Sequence, residues 1–227
     1  MSRLNEAIEL TCAIKVKPYA LDQQAFANFQ RRYHDPRSFI HTGKLLEYFI
    51  SEQWMQPIND GVYIDIAAQD CPYASYLRSA YGARAYRQDL YYLQYGVHGF
   101  DIGGNAAELP FGNEEVRGIA LHNSIEHFEG DSDIRFMAEA ARVLIPGGVL
   151  VIVPLYIAEH LSEEHEAGWI DEHGVKHLWG AGARFARTYG PSEFKERIIE
   201  SFGRNPDIYR VSPETEESCY FVIFTKK

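Results

Sequence analysis

Apolar positions in the first 60 residues recur every three or four places: Phe26, Phe29 and Tyr33, then Ile40, Leu45, Leu46 and Phe49, with a break at Asp35-Pro36. That spacing predicts amphipathic helices, which together read as a helical cover over residues 1–60. From residue 61 short apolar runs alternate with helical segments, the mark of parallel βαβ units. VYIDIA (62–67) predicts a first strand, and Tyr73, Leu77 and Tyr81 a helical stripe ended by Gly82. ARAYRQD (83–89) predicts a second strand, GVHGFDIGG a short third, and VRGIALHN (116–123) a fourth. DSDIRFMAEAARVL (131–144) reads as a helix with Asp131 or Ser132 as N-cap, stopped by Pro146-Gly147-Gly148. The β-branched run VLVIVPL (149–155) predicts a strand buried on both faces. A less regular stretch over 156–190 follows, then a helix over 191–203 opened by Pro191. DIYRVS and CYFVIFTK close the chain as an antiparallel hairpin at the sheet edge.

This pattern describes an α/β fold, a doubly wound, mostly parallel seven-stranded sheet with an antiparallel C-terminal hairpin. The chain shows no internal repeat and no linker, so its 227 residues are expected to form one domain. Such sheets host many chemistries, and composition narrows them only by exclusion. A net charge of −10 argues against duplex nucleic acid as the main partner, because phosphate affinity comes from Lys and Arg. Arg184, Arg187, Lys195 and Arg197 form the one basic concentration and read as solvated surface charges. Cys12, Cys71 and Cys219 are scattered and lack metal-ligand spacing, as expected of reduced thiols in a cytoplasmic protein. No stretch approaches the ~20 apolar residues that span a bilayer, and the N-terminus does not read as a signal peptide.

Between residues 105 and 155, NAAELPF, VRGIALHNSIEHF and EAARVLIPGGVLVIV follow one another. In order and spacing they resemble the central region of class I S-adenosylmethionine-dependent methyltransferases. The resemblance covers roughly residues 60–155 and, less clearly, the C-terminal hairpin. It implies a Rossmann-like methyltransferase fold, S-adenosylmethionine as cofactor and methyl transfer as the reaction. It assigns 61–155 to the cofactor-binding core, 156–190 to a lid or acceptor segment, and 191–227 to a closing helix and hairpin.

In that family the first strand ends in an acidic residue followed by a glycine-rich loop. Here the string is DIAAQDCPYASYL: Asp65 stands at the acidic position, while Ala67, Gln69 and Cys71 replace the three glycines. Glycine at such loops supplies positive φ and lets a ligand lie against the backbone. The replacement therefore leaves two readings open: a working methyltransferase, or a non-catalytic binding or scaffolding protein that retains the fold without its cofactor site. Asp89, 24 residues after Asp65, matches the carboxylate that accepts both ribose hydroxyls, with Leu90 beside it. Asn105-Ala106 stands where the family contacts the adenine. A nucleotide-sugar or dinucleotide enzyme is disfavoured by the lack of G-x-G-x-x-G after the first strand.

The loop HNSIEHFEG (122–130) follows the fourth strand, at the carboxyl end where open α/β sheets bind ligands. The resemblance places it beneath the sulfonium, so His122 counts as a cofactor contact, and His122, Glu126 and His127 as candidate catalytic groups. An imidazole titrating near ~6.5 suits a general base. His173 and His177 have the spacing of a helical zinc pair, but Gly174 and the missing HExxH glutamate argue against it, and no metal is expected. Tyr156, His160, Trp169, Trp179 and Tyr189 enrich the 156–190 segment in aromatic groups suited to a lid. A small-molecule or sugar-like acceptor is expected.

Overall fold

The computed structural model describes residues 2–33, 42–166, 168–170, 176–178, 185–211 and 220–227. The N-terminal cover holds α1 (Arg3–Cys12), β1 (Val16–Tyr19), α2 (Gln23–Arg32) and α3 (Thr42–Met55). Ser2 caps α1 by accepting from the Asn5 N–H, and Asp22 caps α2 by accepting from Ala25 N–H at 2.9 Å. Ile40 and the Asp35-Pro36 break lie outside the described residues.

Strand β1 corrects the all-helical reading of this region. VKPY is short and contains a proline, so its pattern does not announce a strand. It pairs in parallel with β12 (Asp207–Val211) at the sheet edge, where a residue lacking an N–H is tolerated.

The core follows as β2 (Val62–Ile66), α4 (Tyr73–Tyr81), β3 (Arg84–Asp89), β4 (Gly96–His98), β5 (Asp101–Gly103), β6 (Val116–His122), α5 (Ser132–Val143) and β7 (Leu144–Leu155). Gly82 ends α4 with φ +65°. GVHGFDIGG forms two strands, β4 and β5, turning at Gly99. Asp131 occupies the N-cap of α5 without a capping bond; its carboxylate pairs with Arg135 at 3.1 Å. Pro146-Gly147-Gly148 lies inside β7, which starts five residues before the predicted strand. Sheet bonds hold it there, with Gly147 N–H donating to Lys226 O at 2.9 Å.

After β7 come β8 (Ser162–His165), β9 (Gly168–Ile170), β10 (Lys176–Leu178) and β11 (Phe185–Thr188), pairing as two antiparallel ladders, β8 with β11 and β9 with β10. A helical stretch, α6, runs through Pro191–Glu193, Phe194–Ile199 in π geometry and Glu200–Phe202, before β12 and β13 (Tyr220–Thr225).

The nine-stranded sheet has the order β1-β12-β13-β7-β6-β2-β3-β5-β4. The seven expected strands are present, extended by β1 and β4 at the two edges. The C-terminal hairpin is therefore internal: β13 lies between β7 and β12, and β1 covers β12. Alternation along the strands feeds two cores. Ile64, Ile119, Leu121, Leu150 and Ile152 pack with α1, α5 and α6 on one face. Tyr63, Ala120, Val151 and Val153 pack with α2, α3 and α4 on the other. Burial on both sides explains the near-continuous apolar runs.

The chain runs outward from β2 through β3 to β5, then returns to lay β6 on the other side of β2. This reversal between β2 and β6 is the topological switch point, and a cleft opens at the carboxyl ends of the strands there. No helix among the described residues is long and apolar enough to cross a membrane.

Candidate active site at the carboxyl edge of the sheet

The cleft is a cavity of about 1170 Å³, lined by the ends of β2, β3 and β6, the N-terminal part of α3, and β11. Asp65, Ala67, Gln69, Asp89, Leu90, Asn105, Ala106, His122, Glu126 and His127 all line it. The structure thus brings the ten candidate cofactor-binding and catalytic residues into one cavity, whereas His160 and Tyr189 of the 156–190 segment do not line it.

At one end lies the loop that lost its glycines. Ala67 and Gln69 nevertheless adopt the left-handed conformation, φ +52° and +44°, at a cost of about 1–2 kcal/mol per residue with a side chain. The last two residues of β3 hold it there. Gln69 N–H donates to Asp89 Oδ2 at 2.8 Å, Ala68 N–H to Gln88 O at 3.0 Å, and Ala67 N–H to Gln88 Oε1 at 3.4 Å. The Tyr92 hydroxyl donates to Gln69 O. The backbone path that glycine makes easy is thus imposed by tertiary bonds. Asp89 Oδ1 also accepts from Tyr91 N–H at 2.9 Å, and each carboxylate oxygen keeps a second lone pair. Asn105 Oδ1 accepts from Ala107 N–H at 3.0 Å, which orients its amide.

Beneath the loop runs a buried polar chain. The register aligns Asp65 with Ala120, so His122, two residues on, shares the Asp65 face. His122 Nδ1–H donates to Asp65 Oδ1 at 2.8 Å, and Nε2 is hydrogen-bonded to the Ser51 hydroxyl at 2.8 Å. All three side chains are buried, and the ring sits edge-on between Tyr48 and Tyr73, 4.8 Å from each. Both ring nitrogens of His122 are therefore spent inside the protein. The His122 carbonyl accepts from Lys44 Nζ at 2.7 Å. Cys71, whose thiol is pushed well above its ordinary pKa by burial, bonds to the Tyr48 hydroxyl. Ligand-type atoms of Asp65, Cys71 and His122 lie within 4.8 Å of one another, a grouping the sequence spacing did not suggest.

The other end is built on a 3₁₀ turn, Ile125–His127, after β6. His127 Nδ1 is 2.6 Å from Phe185 O, an obligate acceptor, so Nδ1 carries a proton and, in the neutral ring, Nε2 carries the lone pair. Nε2 lies 3.7 Å from Glu126 Oε1. Glu126 is 5% exposed, and burial pushes its carboxyl up to about 8 against the opposing effects of a backbone hydrogen bond and Lys44. Glu126 Oε2 and Ser124 Oγ are buried and find no hydrogen-bond partner among the described residues. Tyr156 donates to Asn123 Oδ1 at 2.6 Å beside them.

Strand β11 walls this end. Arg187, expected on the surface, is 3% exposed. It donates to Asp133 Oδ2 and Glu163 Oε1 at 2.8 Å each and to the carbonyls of Phe128 and Gly130. Arg197 pairs with the same fully buried Asp133. A buried carboxylate recruits cations from elements distant in sequence, which a local charge count does not register. Arg184 and His173 lie outside the described residues.

Sequence reasoning missed Lys44, Tyr48 and Ser51. Their i, i+4, i+7 spacing on α3 puts them on one helix face, and polar groups on that face were the available signal.

Residues 53–152 match the family model described as a methyltransferase domain. No curated protein matches the chain. Among solved structures it is similar to Burkholderia thailandensis 1,6-didemethyltoxoflavin-N1-methyltransferase, with bound 1,6-didemethyltoxoflavin and S-adenosylhomocysteine: 18% identity, 92% of each chain covered, TM-score 0.59. Geranyl diphosphate C-methyltransferase from Streptomyces coelicolor A3(2) gives 10% identity over 100% of this chain and 94% of that one, TM-score 0.55. A Methanosarcina mazei S-adenosylmethionine-dependent methyltransferase gives 14% identity over 78% of this chain and 96% of that one, TM-score 0.54. The matched methyltransferase domain runs from the end of α3 into β7, and the chain around it has the Rossmann-like class I methyltransferase fold of these neighbours.

Proposed function

We propose that this protein transfers a methyl group from S-adenosylmethionine to a small-molecule acceptor. The observation that carries the reading is the left-handed Ala67–Gln69 loop tied to Asp89, which keeps the cofactor end of the cleft open without glycine. The residues present fit the cofactor. Asp89 has lone pairs for the ribose hydroxyls, the oriented Asn105 amide and Ala106 suit the adenine, and Leu90 flanks it. Asp65 and the loop backbone at Ala67 and Gln69 would meet the methionyl part, with His122 behind them as a positioning residue.

Bound in this way, the cofactor supplies a methyl group on an already activated leaving group. The protein then needs mainly to align the acceptor and take up its proton, and alignment alone lowers such barriers by several kcal/mol. His127 Nε2 is the base within the cleft whose lone pair is not spent on a protein donor among the described residues, whereas His122 is committed on both nitrogens. Neighbours that act on 1,6-didemethyltoxoflavin and geranyl diphosphate support a small acceptor.

Calorimetric titration with S-adenosylhomocysteine tests the reading without an acceptor. One-site binding, weakened about tenfold or more in Asp89→Ala by loss of charge-assisted hydrogen bonds, is the expected result. Absence of binding would leave a scaffold that retains the fold.

A further inference from the structure

We infer that Ser124, Glu126 and His127 form a subsite for an uncharged ring carrying an N–H or O–H beside a carbonyl, that is, a lactam or its enol tautomer. The inference takes its chemistry from the methyl-transfer reading, while its binding geometry stands apart from it.

Three polar residues on one short turn line the cleft. Ser124 and Glu126 are each 5% exposed, and Ser124 Oγ and Glu126 Oε2 lack hydrogen-bond partners among the described residues. Unsatisfied buried polar groups are costly, and a ligand that completes them removes that cost. Their polarity defines the complement. With Nδ1–H held by the Phe185 carbonyl, the neutral His127 ring presents Nε2 as its acceptor. Glu126, with its carboxyl pushed up to about 8 by burial, stays protonated at neutral pH and can donate. The acceptor and the donor group stand 3.7 Å apart. Adjacent N–H and C=O groups of a lactam, about 2.3 Å apart by standard amide bond lengths, present one donor and one acceptor at the spacing that such a pair bridges.

Charge on the surrounding side chains points the same way. The described cations lining the cleft are Lys44 and Arg187. Lys44 binds Glu47 and the His122 carbonyl, each at 2.7 Å, and Arg187 binds Asp133 and Glu163. A carboxylate or diphosphate acceptor would have to break these pairs. A neutral ring does not.

In the reaction, a lone pair on the ring nitrogen or oxygen forms a bond to the methyl carbon as the carbon–sulfur bond breaks. The electron pair of that bond stays on sulfur, and the ring proton passes to His127 Nε2. Glu126 keeps its proton throughout and steadies the neighbouring carbonyl oxygen.

Four probes test the subsite by saturation-transfer NMR and calorimetry, with and without saturating S-adenosylhomocysteine: 2-quinolone, 1-methyl-2-quinolone, quinoline-2-carboxylate and methyl glucoside. The expected result is binding of 2-quinolone at least about tenfold tighter than any other probe, retained within about threefold in Glu126→Gln and weakened about tenfold in Glu126→Leu. No binding of 2-quinolone, equal binding of its N-methyl form, tighter binding of the carboxylate or the glucoside, or an unchanged affinity in folded Glu126→Leu would each overturn the proposal. The wild-type probe series decides even where a variant does not fold. Should S-adenosylhomocysteine fail to bind while the quinolone preference holds, the methyl-transfer reading fails and the subsite stands; the converse result removes the subsite alone.

Discussion

The two ends of the cleft solve opposite problems with the same sheet edge. At the Asp89 end the loop N–H groups of Ala67, Ala68 and Gln69 each have an acceptor, and His122 is bonded on both ring nitrogens. At the Glu126 end, a carboxyl oxygen and a serine hydroxyl are buried without a described partner, and an imidazole nitrogen keeps its lone pair. A saturated end is rigid before any ligand arrives, as suits a moiety that is the same at every turnover. An unsaturated end carries a standing desolvation cost that only a complementary acceptor relieves, and that cost is a source of selectivity.

Removing the proposed base at the unsaturated end should have the largest effect. His127→Ala is expected to lower kcat by about 10²–10⁴, the usual worth of a general base. S-adenosylhomocysteine affinity should stay within about threefold, so titration beside turnover separates the two ends; an equal loss in both would erase the distinction. Arg187→Ala should destabilise the fold by about 3 kcal/mol, because Asp133 would remain fully buried with Arg197 as its main counterion. Urea denaturation measures this, and a change below ~0.5 kcal/mol would show that Arg187 contributes little to the wall.

A smaller effect concerns protons. Glu126 holds its proton in the folded state up to about pH 8, whereas an ordinary carboxyl releases it near 4.5. Between those values the folded state binds the extra proton, so this group's contribution to stability falls as pH rises and levels off above about 8. Glu126→Gln should flatten that decline, by on the order of a few kcal/mol across the window, in denaturation curves taken at pH 5, 7 and 9. Parallel curves for wild type and variant would mean an ionised Glu126. The smallest effect belongs to the saturated end: Gln69→Gly should relieve the left-handed strain and change S-adenosylhomocysteine affinity by no more than about threefold. A large gain would mean that the glutamine side chain obstructs the cofactor.

Much of the fold was legible because periodicity reports burial. VYIDI and VLVIVPL are apolar on successive positions since both sheet faces are covered, and the helix over Ser132–Val143 shows its buried stripe directly. VKPY was not legible, since a four-residue edge strand with a proline owes its existence to β12, almost 200 residues away. The site divides similarly. Asp65, Asp89 and the His122–His127 turn could be named because they end strands, and strand ends define the cleft in an open sheet. Ser51 and Asp133 could not, because their roles depend on His122, Arg187 and Arg197, partners 54 to 71 positions away.

By itself the sequence determined the strands and helices of the core from β2 to β7 and the closing strands, and the kinds of chemical group at each strand end. Those properties are local, set by side-chain polarity at spacings of two and of three to four residues. Only the tertiary structure decided which of two histidines keeps its lone pair, whether a loop without glycine stays open, and that Arg187 is buried. Hydrogen bonds and desolvation depend on which groups meet in space, and the meetings that matter here join residues from different ends of the chain.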